Sequence, residues 1–150
     1  LPQPDRAGCQ EDVKFTPVYV VSEFDESRDP AADLKVTVER AREEGKRILL
    51  DVGGTWCGWC KLLDTYFHEN QKVAERLAKG FLVMKVNWSP GNRNEDFLGR
   101  YPEIRGYPHL FVLEKDGTLL HSQNTGDLEE GRGYNEEAVL AFLDAWAPGG

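Results

Sequence analysis

Methionine occurs once in 150 residues, cysteine only three times, and basic residues are outnumbered by acidic ones, 18 to 26. Each shortage removes a class of protein. Three cysteines cannot build the dense disulfide framework of small secreted scaffolds, and a chain of this length buries roughly 70% of its unfolded surface without one. The formal charge of −8 repels phosphate backbones and anionic lipid, so no nucleic-acid partner is expected. Apolar runs extend over a few residues only, far short of the roughly 18 to 20 that cross a bilayer, so no transmembrane segment is expected. Internal repeats and low-complexity tracts are missing as well. What is present, 40% hydrophobic and 29% charged residues, is the profile of one globular domain.

The order of local patterns divides the chain into an arm with a possible edge strand over 1–28 and a folded domain over 29–150. Residues 1 to about 14 mix Pro2, Pro4, Gly8 and charged residues without an apolar period. Phe15 to Phe24 is β-rich and suits an edge strand. Asp29-Pro30 is a helix cap followed by proline at the first helical position, and Gly45 stops the helix that follows. Arg47 to Val52 is a short apolar run whose length favours a buried strand. Helical composition resumes at Cys57 and runs through Phe67, and Val73 to Lys79 forms a further helical piece closed by Gly80. Phe81 to Asn87 reads as a strand, Trp88 to Arg93 as a loop, and Glu95 to Tyr101 as a short helix. Tyr107 to Glu114 and Thr118 to Gln123 flank Asp116-Gly117 as a hairpin, Asp127 to Glu130 reads as a solvated loop, and Asn135 to Trp146 as a closing helix. Strands and helices alternating in this way predict an α/β sandwich, a central sheet with helices against it.

Chemistry concentrates in Trp56-Cys57-Gly58-Trp59-Cys60-Lys61, at the junction of a buried strand and a helix. Two sulfurs three residues apart in a first helical turn share a face and lie within disulfide range. Cys57, at the helix start, faces unpaired backbone N–H groups and the positive end of the dipole, which favour thiolate over thiol. Cys57 is therefore the expected nucleophile, and Cys60 the thiol that resolves the mixed disulfide. Half of a zinc site is the competing reading. Four ligands are needed for structural zinc, yet there is no second CxxC, and His68, His109 and His121 are scattered, so no metal is expected.

Beyond the CxxC, the sequence resembles the thioredoxin superfamily over about residues 32 to 147. Asp51, six residues before Cys57, matches the family's buried acid at the end of the central strand. Lys85-Val86-Asn87 matches the family lysine on the neighbouring strand, and Ile104-Arg105-Gly106-Tyr107-Pro108 matches the segment whose proline is cis and faces the disulfide. The resemblance implies a thioredoxin-like three-layer sandwich with a mixed β-sheet, and thiol-disulfide oxidoreductase activity on protein substrates without an organic cofactor. It further implies that Asp51 and Lys85 serve catalysis, Asp51 accepting the proton of Cys60 and Lys85 moderating the carboxylate charge. Substrate binding falls to Trp56, Gly58, Trp59, Tyr107 and Pro108, with the Tyr107 backbone free to pair with an extended substrate strand. Plainer readings stand beside these: Asp51 as a cap on the Gly53-Gly54 turn, Lys85 as a solvated lysine, Trp56 as core filler, and Pro108 as an ordinary trans proline at a strand entry. His109 is expected either near the sulfurs or in solvent.

Trp59 stands where common cytosolic members have proline and oxidising members often have histidine. An indole cannot stabilise a thiolate by charge, so a reductase or interchange role is expected over that of a strong oxidase. A redox partner, reductase or oxidase, must then exchange electrons with the pair, and the chain is expected to act as a monomer. Cys9 is expected to be a spare thiol in the arm, with Ala7-Gly8-Cys9 an imperfect match to a lipoprotein cleavage box. Leu1 in place of an initiator methionine reads as a processed or a trimmed chain, and with the extended arm and the unusual Gly53-Gly54-Thr55 it favours an extracytoplasmic compartment, the bacterial periplasm, over the cytoplasm. A binding module or chaperone with a vestigial or transiently metal-binding CxxC is the alternative from another class.

Overall fold

The computed structural model describes residues 18–149; Cys9 and the rest of the proposed arm up to residue 17 lie outside the described residues. Strand β1 (Tyr19–Val21) is followed by helix α1 (Pro30–Glu44), strand β2 (Arg47–Gly53), helices α2 (Gly58–Glu69) and α3 (Gln71–Gly80), and strand β3 (Phe81–Asn87). A short helix α4 (Glu95–Leu98), the hairpin of β4 (His109–Leu113) and β5 (Leu119–Asn124), and helix α5 (Glu136–Trp146) complete the main layers. Five strands form one sheet in the order β1-β3-β2-β4-β5, with β1, β3 and β2 parallel and β4 and β5 antiparallel to their neighbours. This is the mixed α/β thioredoxin fold.

Local chemistry explains the boundaries. Asp29 caps α1 by accepting the Ala31 N–H at 3.0 Å, Pro30 opens the helix, and Gly45 ends it in the left-handed region at φ 68°. Asn70 serves two helices at once, ending α2 and capping α3 through the Val73 N–H. On β3 every residue is buried, and on β2 all but Arg47, as expected for central strands covered on both faces. Leu49, Val83, Leu110 and Val112 pack under α2, α3 and α5 through Leu63, Phe67, Leu77 and Phe142. Ile48, Leu50, Leu82, Met84 and Phe111 pack on the other face with Ala41 of α1 and Phe97 of α4.

Three expectations need correction. The helix predicted over Glu95 to Tyr101 stops at Leu98, and beyond it the Tyr101 ring stacks on Phe111 at 5.0 Å. The solvated loop predicted from Asp127 to Glu130 is ordered: Thr125–Leu128 forms a 3-10 turn, Leu128 joins the core, and Glu129–Glu130 (β6) pairs with Gly133–Tyr134 (β7). Apolar Leu128 and Tyr134 are what draw this segment inward. His109 does not point into solvent; it is buried, its Nε2 lies 2.8 Å from Ser122 Oγ, and burial holds its imidazole below the usual histidine pKa.

Candidate active site

Buried strand β2 delivers the chain to the end of the sheet, and α2 begins there. Cys57 is the N-cap residue of α2, extended at φ −98° and ψ 112°, and its Sγ accepts the Cys60 N–H at 3.1 Å. A sulfur has thus taken the place that a serine or aspartate oxygen fills in most helix caps. Cys57 and Cys60 are joined as a disulfide with their Cα atoms 5.2 Å apart, and both sulfurs are largely enclosed, with residue exposures of 4% and 1%. Gly53 and Gly54 allow this closeness. A Cβ on Gly53 would enter the space of Cys60 Sγ, and one on Gly54 would meet the Trp56 indole and the Trp88 carbonyl oxygen. Gly58, the first helical residue, is exposed with open space around it.

Beneath the disulfide lies a polar group of four. Asp51 is 1% exposed, and neither of its carboxyl oxygens has a hydrogen-bond partner among the described residues. It is therefore no cap for the glycine turn. Burial pushes the Asp51 carboxyl up to about 7; the Lys85 charge opposes the rise and the Asp64 charge adds to it. Asp51 and Lys85 are register partners on β2 and β3. Lys85 is buried rather than solvated, and its Nζ pairs with Asp64 Oδ1 at 2.8 Å, so a helix carboxylate, not Asp51, holds the ammonium directly. The ammonium also lies 4.9 Å from the Phe24 ring centroid and 5.9 Å from that of Tyr19. The Tyr19 hydroxyl is buried and has no hydrogen-bond partner among the described residues; burial and the charges of Asp51 and Asp64 keep its phenol protonated. An open cleft of ≈ 310 Å³ lined in part by Phe24, Thr55, Cys60, Asp64 and Lys85 brings solvent to the Asp64–Lys85 pair.

On the other side of Cys57 the site is aromatic. The Tyr107–Pro108 bond is cis, and Pro108 is buried with its carbonyl oxygen accepting the Thr125 hydroxyl at 2.7 Å. Trp56 is 51% exposed, so it is not core filler; its indole packs edge-on against Trp88 and Tyr107 with centroids 5.8 and 5.7 Å away. Trp59 points to a different neighbour. Its ring meets Tyr134 edge-on at 5.5 Å, and the Tyr134 hydroxyl donates to the Trp59 carbonyl oxygen at 3.3 Å. Among the described residues no group of three or more histidine, cysteine or acidic side chains is placed to hold a metal, and no helix is long and apolar enough to cross a membrane.

Sequence reasoning had missed Asp64, Trp88 and Tyr134. Asp64 carried a usable signal, since it follows Cys60 by four residues and so shares its helix face. Trp88 and Tyr134 carried none, because strand β3 and the turn after β5 bring them in from far along the chain.

Residues 29–115, more than half of the chain, match the model of a family described as thioredoxin-like. The chain belongs to the thioredoxin-like family. It is similar to the thiol:disulfide interchange protein DsbD of Pseudomonas sp. (strain JR1 / K1), 30% identical over 124 residues that make up 82% of this chain and 20% of the relative. DsbD of Actinobacillus pleuropneumoniae is 29% identical over 93 residues, 61% of this chain and 16% of that protein. The chain thus spans a fifth or less of the length of these curated relatives. Among solved structures, a disulphide isomerase from Xylella fastidiosa Temecula1 superposes with a TM-score of 0.69 at 27% identity, covering 81% of this chain and 94% of that one. The DsbD C-terminal domain of Neisseria meningitidis, at 19% identity and a TM-score of 0.57, shares the fold.

Proposed function

We propose that this thioredoxin-like domain is a thiol-disulfide oxidoreductase acting on protein substrates, in the direction of reduction or interchange rather than strong oxidation. The observation that carries the reading is the placement of a sulfur at the cap of α2, at the end of the strand that holds a buried carboxyl with no hydrogen-bond partner among the described residues. Reduced Cys57 faces the N–H groups of the first turn, which stabilise its thiolate. That thiolate attacks one sulfur of a substrate disulfide, forming a mixed disulfide and releasing the first substrate thiolate. Cys60 then loses its proton to Asp51 and attacks the Cys57 sulfur, so the second substrate thiolate leaves. The substrate has gained two electrons, and Cys57–Cys60 is oxidised. A carboxyl pushed up to about 7 is matched to this transfer near neutral pH, and the cleft at Asp64 and Lys85 gives the proton a way out.

Trp56, Gly58, Trp59, Tyr107 and Pro108 surround Cys57 in this reading, with the Tyr107 backbone receiving the substrate strand. The likeness to DsbD supports a periplasmic setting and a dithiol-containing redox partner that restores the reduced pair. Turbidity of insulin reduced by dithiothreitol tests the activity: the wild-type domain accelerates it, and Cys57→Ser lowers the acceleration at least about a thousandfold, as expected when a covalent nucleophile is removed. Equal rates for both proteins would favour a binding module instead. Equilibration with glutathione tests the direction, with a potential nearer about −270 mV than −120 mV expected.

A further inference from the structure

Trp88 stands outside every motif of the redox site, yet its backbone and ring are wired into it. Its N–H donates to the Gly53 carbonyl oxygen at 2.7 Å, and its own carbonyl oxygen accepts the Trp56 Nε1–H at 2.8 Å. The Trp88 and Tyr107 rings stack with centroids 4.9 Å apart, and Trp56 leans edge-on against both. The only polar atom of the half-exposed Trp56 indole is therefore occupied, and the side chain presents apolar ring surface next to Cys57.

The loop carrying Trp88 is held from a distant part of the chain. Glu26, in the connection between β1 and α1, accepts the Ser89 hydroxyl at 2.5 Å through its carboxylate, and its backbone carbonyl oxygen accepts Asn92 Nδ2–H at 2.8 Å. Asn87 Nδ2 donates to Ser89 Oγ and to the Asn92 carbonyl oxygen, both at 3.0 Å, and Ser89 and Asn92 bridge each other antiparallel. Gly91 is required by this arrangement, since a Cβ there would run into the Glu26 carboxylate. Ser89 and Asn87 are buried, so removing the carboxylate leaves a buried hydroxyl without its acceptor. None of these contacts touches Cys57, Cys60 or Asp51.

We propose that Trp56, Trp88 and Tyr107 form a specificity-determining aromatic platform, fixed by Glu26 as a positioning residue, that selects polypeptide disulfides flanked by an apolar or aromatic side chain. The proposal rests on the exchange reading above and names the substrate class for that site. A flanking ring laid on the platform gains aromatic packing that a serine cannot, and a small disulfide with no apolar side chain beside its cysteine gains nothing.

Two short peptides, each closed by one internal disulfide and differing only in Phe or Ser beside the attacked cysteine, serve as probes, with dithiothreitol as reductant and small oxidised glutathione as the control substrate. The wild type is expected to favour the Phe peptide by about threefold to tenfold in kcat/KM. Glu26→Ala is expected to abolish that preference through KM, leaving kcat, the glutathione rate and the pH profile of Cys57 alkylation unchanged. Glu26→Gln, whose amide oxygen still accepts the Ser89 hydroxyl, is expected to restore it. Gly91→Ala disturbs the clamp from the other side, and a loss of preference is expected there too, which keeps the test usable should Glu26→Ala fail to fold. Equal use of the two peptides by the wild type overturns the proposal, as does a Glu26→Ala protein that keeps the preference or loses the glutathione rate and alkylation profile along with it. A wild type that reduces neither peptide nor glutathione overturns the exchange reading itself.

Discussion

The two faces of strands β2 and β3 start alike and end differently. Toward α1, Ile48, Leu50 and Val52 lie beside Leu82, Met84 and Val86, apolar from one end to the other. Toward α2, Leu49 and Val83 are just as apolar, but the next positions are Asp51 and Lys85. Same strands, same register, same degree of burial: only the end beneath Cys60 is polar. Buried charge is costly unless paired, so the polar end of these strands is where the sheet gives up stability. Thr37, a buried polar side chain on the α1 face, shows the contrast: its hydroxyl donates to the Asp33 carbonyl oxygen at 2.8 Å, whereas neither Asp51 carboxyl oxygen has a hydrogen-bond partner among the described residues.

The largest expected effect comes from removing the misplaced charge. Asp51 has a folded pKa of about 7 against an ordinary value of 3.8, so it is protonated in both folded and unfolded chains below about pH 4. As pH rises the unfolded chain loses the proton first, and the folded state loses stability until the folded carboxyl ionises too. Asp51→Asn should therefore be more stable than wild type by on the order of 4 kcal/mol above pH 8 and show little gain at pH 4. Urea titrations at both pH values measure it; a gain independent of pH would break the contrast between the faces. If Asp51 takes the Cys60 proton as proposed, the same variant should also slow resolution of the mixed disulfide.

On the apolar face the sign reverses. Leu50 is fully buried, and Leu50→Ala should cost about 3 kcal/mol by the same urea titrations, nearly equally at pH 5 and pH 8, since its register partners Met84 and Phe111 do not titrate. A cost that changed with pH would mean that the two faces are coupled through the sheet. Smallest, and sharpest in what it resolves, is the pair Lys85→Met and Asp64→Asn. Lys85 lowers the Asp51 pKa and Asp64 raises it, so the first substitution should move the Asp51 titration above about 7 and the second below it, as read from the carboxyl carbon resonance. Shifts in the same direction for both would show that the ion pair acts on Asp51 as a unit rather than as two opposed charges.

Much of the site was legible along the chain because its parts are local. Cys57 and Cys60 are one helical turn apart, Asp51 ends the strand that feeds them, and Asp29-Pro30 and Gly45 bound α1 through caps that need no tertiary partner. Asp64 was legible in principle, a turn beyond Cys60. The pairing of Lys85 was not: strand β3 supplies the ammonium, but which carboxylate reaches it depends on how α2 crosses the sheet. The 125–134 segment misled for a similar reason, since its acidic residues suggest solvent whereas Leu128 and Tyr134 pack against the α2 side of the core.

The order of amino acids alone determined the alternation of strands and helices, the spacing of the two sulfurs and the position of the acid before them, because each depends on neighbours within a few residues. Only the tertiary structure decided that Asp51 is left without a hydrogen-bond partner among the described residues while Asp64 takes the lysine, and that Glu26 reaches Ser89 and Gly91 to hold Trp88 against Trp56. Burial and charge pairing arise when distant segments meet across the sheet, and no local pattern records which of them will.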